Sequence, residues 1–184
     1  MRPACCSLVA ALAAGTLLAS PPPAAALHPY GHAFSRPGDF TAEQITAIAS
    51  RFEVFTVEKS TAADVYGRNG SIAATIGTAK RIKAENNSVK VLMYWNAALH
   101  YNTYECESEV QPSWTFKAKG HAQPYYNYSV FAFRRWWVQC AVDAFWGNQP
   151  WSEDGWIDGF FLDATPKVAS GQNGGPGPVR KSPL

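Results

Sequence analysis

The sequence predicts an α/β fold in which helices alternate with the strands of a parallel sheet. Three short apolar runs, Phe52–Val57, Val89–Trp95 and Asp158–Asp163, have the length of buried strands. A weaker strand over Tyr30–Phe34 precedes them, and segments with helical spacing separate them. This alternation is typical of right-handed crossovers between parallel strands, and we therefore predict about four parallel strands with three helices.

Such a unit is compatible with two architectures. It is either an open α/β sheet or the N-terminal half of a (β/α)8 TIM-type barrel, a partial barrel, because a complete barrel needs roughly 250 residues.

Apolar periodicity and capping signals predict helices over 41–52, 69–87 and 129–145. Thr41 begins a capping-box pattern with Gln44, and Ser129 is the predicted cap of the third helix. A long segment, from about Ala97 to Asn127, lies between the third strand and the third helix. Its length and its Tyr, Trp and Glu content predict an ordered loop over a functional site.

Both ends of the chain differ in composition from the predicted domain over 27–168. Arg2, the apolar run Leu8–Leu18 and the small residues Ala24–Ala26 have the order of a secretory signal peptide over 1–26. An uncleaved membrane anchor is the alternative. Residues 169–184 are rich in Gly and Pro and predict a disordered tail. We therefore expect a secreted or extracytoplasmic protein with no membrane contact after cleavage.

Two further features of the sequence are relevant to a secreted protein. Cys106 and Cys140 remain after removal of the leader and can form a disulfide in an oxidising compartment; two separate thiols are the alternative. Asn-x-Ser sequons, which are candidate glycosylation sites, occur at Asn69, Asn86 and Asn127.

Charge and composition indicate which classes of binding partner and cofactor to expect. The formal net charge is only +2, so no basic field indicates nucleic acid. Abundant Trp and Tyr suit stacking on sugar rings, although aromatic residues also fill cores. The four histidines follow no zinc-type pattern, so we expect no metal and no other cofactor.

Three predicted strands end on a polar residue, namely Glu58, Asn96 and Asp163. The carboxyl ends of parallel barrel strands hold the catalytic groups of such folds. Two carboxylates are what glycoside hydrolysis requires, so Glu58 and Asp163 are the predicted catalytic pair. The alternatives are a surface ion pair of Glu58 with Lys59 and a helix cap at Asp163. Asp158, at the start of its strand, is interpreted as structural.

Residues around the third strand tip are the candidate sugar contacts. Asn96 can bind a sugar hydroxyl or orient a carboxylate. Tyr94 and Trp95 alternate across the strand, so one faces a barrel interior and the other the helix layer. His100 lies just past the tip.

Several segments together resemble a family of hypothetical glycoside hydrolases. They are Arg51–Lys59, Lys80–Asn87, Val89–Tyr101, Tyr125–Tyr128, Arg135–Val138 and Ile157–Val168. The resemblance covers most of residues 30–168 and implies a TIM-type barrel acting on polysaccharide. It implies site roles for Glu58, Asn96 and Asp163, and Tyr126, within one matching segment, is a further candidate sugar contact.

The chain departs from the family's pattern in two places. The family often has Asp at the position of Asn127, and it continues through four more strands where this chain has its Gly/Pro segment. The alternative to a hydrolase is therefore a non-catalytic carbohydrate-binding relic or a truncated fragment. An unclosed half barrel also predicts self-association through its open edges.

Overall fold

The computed structural model of the protein describes residues 28–165. The predicted leader and the predicted tail lie outside these residues. In chain order the elements are β1 (Tyr30–Ala33), α1 (Ala42–Arg51), β2 (Val54–Val57), α2 (Ala63–Tyr66), α3 (Ser71–Glu85), β3 (Lys90–Asn96), two 3-10 helices (Glu105–Glu109 and Pro112–Trp114), β4 (Thr115–Phe116), β5 (Tyr125–Tyr126), α4 (Phe131–Trp146) and β6 (Gly159–Asp163). None of the helices within 28–165 is long and apolar enough to cross a membrane.

The central feature is a four-stranded parallel sheet in the order β1-β2-β3-β6. The predicted α/β class, with about four parallel strands, is confirmed. The three predicted helices correspond to α1, α3 and α4, and the short helix α2 was not predicted. The long segment before α4 is more structured than a loop, because it holds the 3-10 helices and an antiparallel β4–β5 pair.

All three long helices pack on the same face of the sheet. Phe55, Val57 and Val91 point into a core shared with α1 and α3. Met93 and Trp95 point into a second core shared with α3 and α4. Side chains alternate along a strand, so the neighbouring residues occupy the opposite face. We call this opposite side the open face; it carries Tyr30, His32, Thr56, Tyr94 and Phe161.

The N-termini of α1 and α4 show where local capping signals predict the structure and where they do not. Thr41 forms the predicted capping box with Gln44. The prediction for Ser129 is wrong: α4 begins after Val130 without a side-chain cap. The Ser129 hydroxyl instead donates to Oδ1 of Asn127 at 2.5 Å, so it closes the turn that precedes the helix.

A carboxylate from a distant segment caps α3. Glu105 accepts hydrogen bonds from the amides of Ile72 and Ala73 at 2.9 and 2.8 Å. Burial raises the pKa of Glu105, and these amide bonds oppose the rise. Because N-terminal helix amides otherwise lack partners, this contact attaches the Glu105–Glu109 segment to the helix layer.

A disulfide holds the same segment from its other side. Cys106 and Cys140 are bonded, with their Cα atoms 6.1 Å apart and a sequence separation of 34. A loop of this size stabilises a fold by roughly 3–4 kcal/mol in the chain-entropy description. The segment over the carboxyl end of the sheet is therefore fixed to both α3 and α4.

Candidate functional site

The three predicted strand-end residues lie at one end of the sheet. Glu58 directly follows β2, Asn96 ends β3 and Asp163 ends β6. Asn96 and Asp163 are register partners on neighbouring strands. β3 separates the two carboxylates, so the strands that carry them lie roughly 10 Å apart at ordinary strand spacing. With Lys59 and Tyr94, these three residues form what we call the carboxyl-end site.

Asp163 is held by neutral hydrogen-bond donors. Tyr94 donates its hydroxyl to Oδ2 at 2.5 Å, and the Asn96 amide donates to the same oxygen at 3.3 Å. The backbone amide of Ala164 donates to Oδ1 at 2.7 Å. Among residues 28–165, no basic side chain forms a salt bridge with Asp163. Its charge is therefore oriented but not balanced by a cation.

Asn96 orients its neighbours. Its side chain is almost fully buried, and its Nδ2 also donates to the Tyr94 hydroxyl at 2.9 Å. Its Oδ1 accepts the amides of Ala98 and Leu99 at 2.9 and 2.7 Å. The predicted sugar contact at Asn96 is therefore corrected to the alternative role, in which it positions the Asp163 carboxylate.

Tyr94 lies between the two carboxylates. Burial, together with the hydrogen bond to Asp163, raises the pKa of Tyr94 well above its ordinary value. The phenol therefore remains a neutral donor at any physiological pH. On the other side of its ring, the ammonium of Lys59 lies 4.2 Å from the centroid, a cation–π distance.

Glu58 has charged and ionisable partners, in contrast to Asp163. Its Oε1 accepts from Nζ of Lys59 at 2.6 Å, and its Oε2 lies 2.8 Å from Nε2 of His32. The Glu58 and Lys59 side chains are only 18% and 20% exposed. The ion pair proposed as an alternative is thus present, but it is enclosed by the site, since Lys59 also lies 4.6 Å from the ring of Tyr101.

A row of rings extends below the carboxylates along the open face. Phe161 stacks against Tyr30 and Tyr94, with centroid distances of 6.3 and 6.1 Å and interplanar angles of 22° and 25°. His32 contacts the edge of Phe161 at 5.0 Å. Tyr94, beside the carboxylates, is buried, whereas Tyr30 at the start of β1 is 47% exposed, so the row ends in an accessible ring.

Trp95 does not belong to this site, contrary to the prediction. It alternates with Tyr94 and faces the helices, where it is 2% exposed. Its ring packs 4.5 Å from Tyr104 and against Trp137 and Phe160. The sequence correctly required the two residues to face opposite sides, and the structure shows that only Tyr94 faces the carboxylates.

Tyr126 and His100 are also placed elsewhere, around the buried carboxylate of Glu107. Tyr126 is 5% exposed and donates its hydroxyl to Glu107. His100 Nε2 lies 3.7 Å from Oε1 of Glu107, and the amides of Thr103 and Tyr104 donate to Oε2. The predicted sugar contacts at Tyr126 and His100 are therefore corrected to parts of a cluster that fixes the covering segment.

Sequence reasoning missed several residues of the site. His32 binds Glu58, and Phe161 lies at the centre of the ring row. Lys59 was predicted only as a surface ion-pair partner of Glu58, not as part of a site. Strand alternation could have found Phe161, because it lies two residues before Asp163 and so shares its face. No sequence pattern indicated the role of Glu107, because this residue lies outside the segments with helical or strand periodicity.

Asp158 lies at the opposite end of the sheet and has structural partners. Lys83 and Lys90 bind its two oxygens at 2.6 and 3.3 Å, and the Val91 amide donates to it at 2.9 Å. The pKa of Asp158 lies below its ordinary value: burial raises it, but the hydrogen bonds from Lys83 and Val91 and the charge of Lys83 together outweigh burial. These contacts favour the structural interpretation.

The sequon residues differ in their contacts. Asn86 donates its Nδ2 to the Ala49 carbonyl at 2.8 Å, so a glycan there would compete with a packing bond. Asn127 accepts from Ser129, and Asn69 is partly exposed in the turn before α3. Glycosylation at these positions stays a prediction.

No protein-family model matches the chain, and no curated protein matches it. Within residues 28–165, no group of three or more His, Cys, Asp or Glu is arranged to hold a metal ion. The glycoside-hydrolase resemblance therefore stays a prediction, and functional inference rests on the geometry above.

Proposed function

We propose that this protein is a glycoside hydrolase of an oxidising compartment, acting on an oligosaccharide or polysaccharide through Glu58 and Asp163. The observation that carries the proposal is the pair itself. Both carboxylates lie at the carboxyl end of a parallel sheet, and they flank Tyr94, which belongs to a row of rings that reaches the surface at Tyr30. Carboxylates cleave the glycosidic bond, and flat rings stack on sugar faces.

The architecture supports a segment of a (β/α)8 barrel. The strands follow one another in chain order, and the long helices cover one face. In a doubly wound sheet the strand order reverses at a switch point, which this sheet does not show over residues 28–165. In a barrel the open face is the interior, so the ring row would line the floor below the site.

The spacing of the carboxylates favours inversion at the anomeric carbon. Val57 pairs with Met93, whereas Asp163 pairs with Asn96, so Asp163 lies about two residues further along the strand direction than Glu58. Together with the intervening strand, this offset favours the separation of about 6.5–9.5 Å typical of inverting enzymes over the roughly 5 Å of retaining ones. One carboxylate then activates water and the other protonates the leaving oxygen.

The test is hydrolysis of soluble polysaccharides by the purified protein, with NMR identification of the first anomer released. We expect cleavage with inversion, and roughly 10²–10⁴-fold lower turnover in Glu58→Gln and in Asp163→Asn. The variant that loses the general acid keeps more activity on aryl glycosides with good leaving groups, which assigns the roles. Unchanged turnover in both variants would remove the pair from the mechanism.

One observation favours a second function, carbohydrate binding without cleavage. Both oxygens of Glu58 already have partners in Lys59 and His32, so proton transfer by Glu58 requires one contact to open. A binding module needs only the rings and the hydrogen-bonding groups. Saturable sugar binding with no reducing ends released would select this function.

The compartment and the partners follow from other features. The Cys106–Cys140 disulfide supports an oxidising, extracytoplasmic location, which detection of the protein outside the cytoplasm would test. Each of the edge strands β1 and β6 pairs with one neighbour in the described sheet, and such edges recruit further strands. Self-association is therefore proposed, and sedimentation velocity over a concentration series measures it.

A further inference from the structure

A cavity next to Glu58 carries an unbalanced positive charge. It has a volume of about 450 Å³ and lies beyond the carboxyl ends of β1 and β2. Its lining, which we call the Arg36 pocket, is His32, Ala33, Phe34, Arg36, Glu58, Lys59 and Ser60. The pocket shares Glu58 and Lys59 with the carboxyl-end site, so the two adjoin.

The charges of the pocket do not cancel. Lys59 is paired with Glu58 at 2.6 Å. Arg36 forms no salt bridge with any carboxylate among residues 28–165. The nearby acids are engaged elsewhere, because Asp39 pairs with Arg81 and Asp64 accepts the Gly38 amide. The guanidinium of Arg36 is therefore the excess charge of the pocket.

The guanidinium is also oriented. Its Nε donates to the Ser60 carbonyl at 3.1 Å, which leaves the two terminal nitrogens to face a ligand. Ser60 has a φ of 61°, a left-handed conformation that non-glycine residues adopt at a cost. Its amide is held by the Ser71 hydroxyl at 2.9 Å. The turn that carries Glu58 and Lys59 thus also fixes Arg36.

The pocket also presents an apolar surface suited to a sugar ring. Phe34 is 57% exposed and lines the same cavity as Arg36. A ring face beside a guanidinium matches a pyranose that carries a carboxylate or a sulfate, since arginine binds both anions in a bidentate manner.

We propose that the Arg36 pocket is a subsite for an anionic sugar unit, a uronate or a sulfated sugar, adjacent to the bond that Glu58 and Asp163 cleave. This inference rests on the proposed function for its sugar context. Arg36 binds the anionic group, Phe34 packs against the ring, and neither residue takes part in proton transfer.

The test measures binding separately from cleavage, by calorimetry at low salt. The probes are galacturonate oligomers against their methyl esters, and sulfated galactan oligomers against their desulfated forms. We expect at least one charged probe to bind about tenfold more tightly than its neutral partner. Arg36→Gln should abolish that preference, and Arg68→Gln, a control at an exposed arginine lining a different cavity, should retain it.

Each outcome decides one claim. Preference for the galacturonate or for the sulfated probe identifies the anion. Equal binding of charged and neutral probes, or a preference that survives Arg36→Gln, overturns the subsite. Charge-selective binding without any cleavage supports the subsite and contradicts hydrolysis, whereas cleavage without charge preference does the reverse. Failure of every probe to bind overturns the subsite.

Discussion

The two ends of β6 place the same side chain in opposite surroundings. Asp158, just before the strand, binds Lys83 and Lys90 and accepts the Val91 amide. Asp163, at the other end, accepts only neutral donors, including the hydroxyl of Tyr94. Two lysines balance the charge of Asp158, which suits a role in stability, whereas Asp163 is oriented without a cation. The comparison separates a structural acid from a candidate catalytic acid.

The largest expected effect is on turnover, from a substitution of Asp163 at the carboxyl end of β6. Asp163→Asn keeps the size of the side chain but can accept at only one oxygen, from Tyr94 or from the Ala164 amide. We expect turnover to fall roughly 10²–10⁴-fold, with the free energy of unfolding lowered by only about 1 kcal/mol. Reducing-end assays and denaturant unfolding measure the two quantities. A large loss of stability would show that Asp163 is a structural residue.

Loss of the disulfide is the next largest effect, and it acts on the segment above the site. Replacing Cys106 and Cys140 together by Ala should lower the free energy of unfolding by roughly 3–4 kcal/mol. Denaturant unfolding of the wild-type protein with and without reductant gives the matched comparison. Equal stability in all three samples would mean that the bond does not constrain the unfolded chain.

At the amino end, the expected effect is on stability. Lys83 is only 7% exposed, so Asp158→Asn leaves a nearly buried ammonium without its carboxylate. We expect a loss of roughly 2–3 kcal/mol at neutral pH and unchanged turnover per folded molecule. Lys90→Gln is the matched control, because Lys90 is 61% exposed and its pairing contributes little. A stable Asp158→Asn protein would contradict the structural role.

The same pair predicts a pH dependence of stability. The pKa of Asp158 is lower in the folded protein than its ordinary value. Its contribution is therefore complete above the ordinary aspartate pKa and is lost as the pH falls through the folded value. Asp158→Asn should lose less stability between pH 6 and pH 3 than the wild type does. Parallel acid-unfolding curves for the two proteins would contradict this linkage.

The smallest expected effect concerns the ring row. Tyr30→Ala removes an exposed ring that stacks on Phe161, and we expect sugar binding to weaken by about 1 kcal/mol. Tyr66→Ala is unsuitable as a control, because Tyr66 packs against α3. Val65→Ala, at an exposed side chain of α2, is the better one. Titration with oligosaccharide measures both variants, and equal weakening in the two would remove the row from the binding surface.

Strand and helix order followed from the sequence, because apolar periodicity records which face of each element is buried. The strand tips Glu58, Asn96 and Asp163 were predictable for the same reason. The side chains that contact these three residues, and so set their chemistry, were less predictable from the sequence. His32 reaches Glu58 from the neighbouring strand β1, and no local pattern distinguishes such a histidine from an exposed one. Lys59 is adjacent in sequence, and its ion pair with Glu58 was predicted as an alternative.

The wrong predictions for Trp95, Tyr126 and Ser129 have physical explanations. Trp95 and Tyr126 were predicted at the site because aromatic residues suit both sugar surfaces and cores. The structure buries both, Trp95 against α4 and Tyr126 against Glu107 and Phe133. Ser129 was predicted as a helix cap, yet its hydroxyl binds Asn127. For Trp95 and Tyr126 the partner depends on packing between distant segments, whereas for Ser129 a local turn competes with the helix cap.

The most direct test of the account compares three proteins, the wild type, Asp158→Asn and Asp163→Asn, on the same polysaccharides and in the same unfolding experiment. The account predicts that Asp163→Asn loses turnover and keeps most of its stability, whereas Asp158→Asn loses more stability and keeps its turnover per folded molecule. Equal turnover in the wild type and Asp163→Asn would contradict the claim that the carboxyl end of β6 carries the chemistry.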